Sequence, residues 1–238
     1  MLQNKVTILC TALIDEASIK EVLVKNLHVE VLPFVRSELI LSKEVQQEIE
    51  QALMLSATVV FTSVNAVEAV ATELEGQEPD WQIFCIGHAT LRCVEKYFEK
   101  NLVCATALNA KDLAALITNA NINEVIFFCG DQRRNELPAM LKENGIDVNE
   151  IIVYQTELLP RKIEKKYDGI LFFSPSAVKS FFQINELEDT TILFAIGATT
   201  ATEIRKHSQN KVIVSDQPDK KVLLDTTINY FQANSIRN

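Results

Sequence analysis

The chain has 238 residues, 47% of them hydrophobic and 23% charged, with only 6 Gly and 6 Pro; this supports one large or two modest packed domains and excludes disordered and fibrous classes. A formal net charge of −9, without any long basic run, argues against nucleic acid, because phosphate binding needs clustered Lys and Arg. Cys10, Cys85, Cys93, Cys104 and Cys129 are odd in number and form no C-x-x-C pair, and His28, His88 and His207 lie far apart, so neither a disulfide framework nor a metal site is expected.

From the N-terminus, residues 6–14 read as a buried strand. The run ends at Asp15-Glu16 without the small-residue cleavage site of a signal peptide. No run approaches the ~18–20 apolar residues of a membrane span, so a cytoplasmic protein without a membrane partner is expected. Residues 32–39 are extended and β-prone. Thr58-Val59-Val60 leads through Phe61 into the turn Thr62-Ser63-Val64-Asn65, and Phe84-Cys85-Ile86 leads into Gly87-His88-Ala89-Thr90. Residues 125–129 form an apolar strand, followed by Gly130-Asp131-Gln132-Arg133-Arg134 and a helix over 136–144 that stops at Gly145. Residues 151–158 are again extended. The basic stretch over 161–166 is broken by Glu164 and reads as a solvated loop. Residues 170–173 form a strand, Ser174-Pro175-Ser176 turns into a helix over 176–182, and Phe194-Ala195-Ile196 runs into Gly197-Ala198-Thr199-Thr200.

This order contains a repeat. Phe61-Thr62-Ser63-Val64-Asn65-Ala66-Val67 matches Phe172-Phe173-Ser174-Pro175-Ser176-Ala177-Val178, and Phe84-Cys85-Ile86-Gly87 matches Phe194-Ala195-Ile196-Gly197. A weaker pair joins Ile8-Leu9-Cys10-Thr11 to Phe127-Phe128-Cys129-Gly130. Strands alternating with amphipathic helices imply an α/β fold. It comprises two similar domains, each a parallel sheet flanked by helices, joined by a two-stranded linker with a cleft between them. The expected boundaries are 1–34 plus 159–238 for domain one and 40–150 for domain two, with 35–39 and 151–158 as linker strands. Ligands should meet each sheet at the C-terminal ends of its strands.

The motifs G-x-x-x-x-G-K-[ST], G-x-G-x-x-G, G-x-S-x-G and H-E-x-x-H are all missing, which disfavours nucleotide, dinucleotide and zinc chemistry. What remains are the strand-to-helix turns. Their Ser, Thr and Asn residues cap helices on one reading. On the other, the open helix N-termini bind carboxylates or phosphates through backbone N–H groups, with Gly87 and Gly197 admitting a close approach.

Six motifs in order resemble the uroporphyrinogen-III synthase family. They are Thr-Ser-x-Asn-Ala-Val from Thr62, Ile-Gly-x-x-Thr from Ile86, and the run Gly130, Arg134, Leu137, Leu141, Gly145. Then come Val153-Tyr154-Gln155-Thr156, Phe172-Phe173-Ser174-Pro175-Ser176, and Ile196-Gly197-Ala198-Thr199-Thr200-Ala201. The resemblance implies a lyase that needs no cofactor or metal. Its substrate would be hydroxymethylbilane, with eight carboxylates. The terminal hydroxyl is lost, the last pyrrole inverts through a spiro intermediate, and the ring closes to uroporphyrinogen III in haem biosynthesis. It also implies Tyr154 as proton donor to the leaving hydroxyl; the residue alone reads equally as a linker aromatic packed on a domain. Substrate contacts are expected at Ser63, Asn65, Gly87, Thr90, Arg134, Ser174, Ser176, Gly197, Thr199 and Thr200, in a monomer. Arg134 reads equally as a brace for its helix. One departure stands out: the family's usual Thr-Arg-Pro after the first strand is Thr11-Ala12-Leu13 here. A non-catalytic two-domain module for small anions is the alternative function.

Overall fold

The computed structural model describes residues 5–25 and 27–235. Residues 1–4, 26 and 236–238, assigned from sequence to the first domain, lie outside the described residues. Strands and helices alternate. The first elements are β1 (Val6–Cys10), α1 (Glu16–Val24), β2 (Leu27–Val31), β3 (Val35–Leu39), α2 (Lys43–Leu53), β4 (Ala57–Phe61), α3 (Val64–Leu74), β5 (Trp81–Ile86) and α4 (His88–Tyr97). Then come β6 (Val103–Ala107), α5 (Ala110–Asn119), β7 (Glu124–Gly130), α6 (Glu136–Glu143) and β8 (Asp147–Leu158). The chain closes with β9 (Gly169–Phe172), α7 (Pro175–Phe182), β10 (Ile192–Ala195), α8 (Ala198–His207), β11 (Val212–Val214) and α9 (Lys220–Ser235).

Contacts divide the chain into two compact units. One holds the chain up to Arg36 and again from Glu157 onward; the other is Ser37–Thr156. Among the described residues, the first unit carries a five-stranded sheet in the order β11-β10-β9-β1-β2, with every neighbouring pair parallel. The second unit's sheet has six strands, in the order β3-β8-β7-β4-β5-β6. Strands β8, β7, β4, β5 and β6 pair in parallel. β3 runs antiparallel to β8: Ile40 N–H bonds Val153 O at 3.0 Å, while Leu159 N–H bonds Phe34 O at 2.9 Å. Each repeat partner occupies the same place in its own sheet, with β4 and β5 standing where β9 and β10 stand, and β7 where β1 stands.

The central strands are continuous apolar runs because helices cover both faces of each sheet. Side chains alternate across the pleat. Val59, Phe61 and Phe128 pack with Val67, Val70 and Val94 of α3 and α4, while Val60, Phe127 and Cys129 pack with Leu113, Ile117 and Leu141 of α5 and α6. In the first unit Leu9, Ile170 and Phe172 face Val178, Phe181 and Ile204 of α7 and α8; Ile8, Leu171 and Phe194 face Leu223, Leu224 and Ile228 of α9. Each such fully buried Val, Leu, Ile or Phe side chain contributes about 1.5–3 kcal/mol. Helix α6 stops where the sequence places the stop. Gly145, at φ +76°, is the left-handed residue past the helix, with Ile146 N–H on Leu141 O and Gly145 N–H on Lys142 O, both at 3.0 Å.

Cys10, Cys85, Cys93 and Cys129 are buried free thiols, and Cys104 is exposed. Burial pushes the Cys10 thiol from an ordinary 9.0 to about 12 and that of Cys129 to about 11. Between pH 9 and 12 the folded chain therefore keeps a proton at Cys10 that the unfolded chain has released. The contribution is fully present below pH 9 and falls by roughly 1.4 kcal/mol per pH unit above it. Cys10→Ala is expected to flatten the loss of stability between pH 9 and 11 in denaturant titrations; an unchanged slope would refute this.

Candidate functional site

In the second unit the parallel strands β4 to β8 deliver their C-terminal ends to one edge of the sheet. β4 ends at Phe61, and Ser63 caps α3: its Oγ accepts from Ala66 N–H at 3.2 Å. Asn65, in the first turn of α3, donates to Ser37 Oγ at 2.8 Å. β5 ends at Ile86, and Gly87 precedes α4 with φ +86°, a conformation that a side chain would strain. Thr90 is buried in the first turn of α4. After β6, Leu108 is 71% exposed, and Asn109 caps α5 by accepting from Asp112 N–H at 2.9 Å.

β7 ends at Gly130, and the turn to α6 carries Arg133 and Arg134. Arg133 is ion-paired with Glu150, which Lys142 also approaches at 3.5 Å. Arg134 is exposed and forms no ion pair among the described residues. Tyr154 is half-buried on β8. A cavity of about 380 Å³ opens at this edge, lined by Ser63, Asn109, Gly130, Arg133, Arg134 and Tyr154 among others. A wider recess of about 750 Å³ lies at the other end of the same sheet, where Thr58, Val125 and Asp147 start their strands. In open parallel sheets ligands bind beyond the strand C-termini, so the smaller cavity is the candidate site.

The first unit has turns of the same build. Ser174 Oγ caps α7 by accepting from Ala177 N–H at 3.1 Å, and Gly197 precedes α8. At the departure from Thr-Arg-Pro, the Thr11 hydroxyl is buried and donates to Leu171 O at 2.8 Å. Nearby, Lys220 Nζ donates to Leu13 O at 3.0 Å.

Three details correct the sequence reading. Ser174 caps α7, and Ser176 lies inside that helix. Gly87 and Gly197 hold the N-cap positions of α4 and α8, so Thr90 and Thr200 do not cap; they are buried one turn later, while Thr199 is exposed. Gly197 has φ −174°, extended backbone open to any residue, so only Gly87 is conformationally required. The cavity gathers Ser63, Arg134 and Tyr154 from the expected set; Asn65, Gly87 and Thr90 flank the same edge outside its lining. Asn109 and Arg133 are additions. Asn109-Ala110-Lys111-Asp112 carried a signal for the first, a helix-starting Asn with an acidic first turn.

Loss of a cap side chain costs about 0.5–2 kcal/mol. Ser63→Ala is therefore expected to lower the second unit's stability by about 1 kcal/mol, and Ser174→Ala the first unit's by as much. Denaturation midpoints check this. Unchanged midpoints in both variants would show that neither hydroxyl supports its helix.

The family model described as "Uroporphyrinogen-III synthase HemD" matches residues 25–225. A uroporphyrinogen-III synthase of Saccharomyces cerevisiae is 30% identical over 48% of this chain and 48% of its own, so the chain spans about half the length of that relative. One of Chlorobaculum parvum is 28% identical over 63% of this chain and 70% of its own. The fold resembles the crystal structure of a mutant uroporphyrinogen III synthase from the extremely thermophilic bacterium Thermus thermophilus, with a TM-score of 0.68 at 15% identity over 96% of this chain and 99% of that one.

Proposed function

The chain belongs to the uroporphyrinogen-III synthase family, and from that premise we propose that it converts hydroxymethylbilane to uroporphyrinogen III, losing water and inverting the last pyrrole ring. The observation that carries this reading is Tyr154 lining a cavity at the strand C-termini with Ser63 and Arg134. In the proposed reaction the electron-rich terminal pyrrole expels the hydroxyl. Tyr154 donates a proton to that oxygen as the C–O bond breaks, and water leaves. The helix N-termini behind Ser63, Gly87, Ser174 and Gly197, with Asn65, Arg134, Ser176 and Thr199 at them, hold the substrate's carboxylates; Thr90 and Thr200, buried one turn further in, lie behind those termini. Backbone N–H groups carry much of that binding, which reconciles a chain of net charge −9 with a polyanionic substrate. The protein's larger task is to fold the bilane and exclude water.

The same reading takes the chain as a cytoplasmic monomer without cofactor, metal, nucleic-acid or membrane partner. Its buried free thiols support a reducing compartment. No helix among the described residues is long and apolar enough to cross a membrane. It also takes residues 1–34 with 159–238, and 40–150, as domains joined through 35–39 and 151–158.

Incubation with freshly made hydroxymethylbilane, followed by separation of ring isomers, tests the activity. An excess of the type III isomer over a protein-free control is expected, and should survive dialysis against chelators. The type I isomer alone would overturn the proposal. Reversible binding of small anions without turnover would then favour the binding-module alternative.

A further inference from the structure

We infer that Gly130 and Asp131 are positioning residues that hold the Tyr154 hydroxyl in the cavity, an inference that rests on the activity proposed above. β7 and β8 pair in regular register from Glu124 opposite Asp147 to Cys129 opposite Ile152; the register then slips, so that Gly130 stands opposite Tyr154. The extra residue on β8 is a bulge, the device by which strands re-aim a side chain near a site. It brings the Tyr154 ring over the α-carbon of Gly130. A Cβ there would lie 2.4 Å from Cζ, 2.6 Å from Cε2 and 2.7 Å from the hydroxyl oxygen. Gly130 is not among the residues with positive φ. The position thus requires glycine for room and not for backbone conformation, as where another group approaches a strand closely.

Asp131 fixes the strand at that residue and just beyond it. Its N–H donates to Tyr154 O at 3.1 Å, and its Oδ1 accepts from Thr156 N–H at 2.9 Å. One residue therefore secures β8 just where β7 ends beside it, while its neighbour supplies the space for the ring. The Tyr154 hydroxyl itself makes no hydrogen bond among the described residues. Its place is set by backbone contacts and by that space.

The atoms that a Cβ at Gly130 meets are the far end of a side chain, which can swing aside. Gly130→Ala is therefore expected to fold, displace the hydroxyl, and lower kcat for type III formation to the level of Tyr154→Phe with little change in KM. The double variant Gly130→Ala/Tyr154→Phe should be no slower than Tyr154→Phe alone, since residues acting through one group are not additive. Asp131→Ala should lower kcat in the same way, and Asp131→Asn, which keeps the acceptor oxygen, should restore it.

A readout independent of turnover is the NMR signal of tyrosine labelled with ¹³C at Cζ. The chain has 4 tyrosines, and loss of a signal in Tyr154→Phe identifies that of Tyr154. It should move in Gly130→Ala and Asp131→Ala and stay in Asp131→Asn. An active wild-type chain in which neither signal nor kcat responds, or in which the losses multiply in the double variant, overturns the positioning. A wild-type chain that forms no type III isomer overturns instead the activity on which it rests.

Discussion

Tyr154→Phe is expected to lower kcat for type III formation by about 10- to 100-fold while leaving substrate binding nearly unchanged. A positioned general acid is typically worth ~10²–10⁴-fold, and the low end applies because an electron-rich pyrrole expels its hydroxyl with little help. Phe keeps the ring over Gly130, and the lost hydroxyl leaves no donor or acceptor stranded among the described residues. Melting should barely move. Kinetics at limiting and saturating substrate, beside a thermal melt, separate the two effects. A fully active Tyr154→Phe would remove proton donation by this residue and leave catalysis to backbone amides and shape.

Phe128→Ala is expected to destabilise the second unit by about 3–5 kcal/mol, the usual cost of deleting a large buried aromatic side chain. Phe128 is fully buried on β7, with ring centroids 5.6 Å from Phe61 and 5.8 Å from Trp81. Helices α3 and α4 close over that cluster, so the space left by the ring has little freedom to collapse. A chain with two compact units has no single free energy of unfolding. Trp81, the one tryptophan, lies in the second unit, buried with its indole N–H on Ala52 O at 2.9 Å, and its fluorescence reports on that unit. A midpoint shift worth less than about 1 kcal/mol would mean the neighbours repack.

Much of the fold is legible in the chain because parallel strands covered on both faces must be short continuous apolar runs, and Val125–Cys129 and Ile170–Phe173 are such runs. The repeated Ser turn marks two helix starts correctly, at Ser63 and Ser174. Of the residues expected from sequence at the candidate site, Ser63, Arg134 and Tyr154 share one cavity. What stayed hidden depends on register and close approach. Thr90 and Thr200 look like caps, yet glycine holds the cap and the threonines point inward one turn on. Arg133 and Arg134 are adjacent and alike in sequence; only the fold brings Glu150 beside Arg133. Gly130 reads as an ordinary turn glycine until the slip in register sets Tyr154 over it.

The pairing of β1 with β9 also governs the order in which the chain completes itself during synthesis. Thr7 N–H finds its acceptor on Asp168, 161 residues later. At about 5–20 residues per second, a ribosome needs roughly 8–30 s to make that stretch. In that interval the strands of the other unit are synthesised, while β1 has only β2 beside it. A chain stopped short of residue 169 therefore leaves the β9-facing edge of a mostly apolar strand unpaired, the kind of surface that chaperones cover and that aggregation seeks.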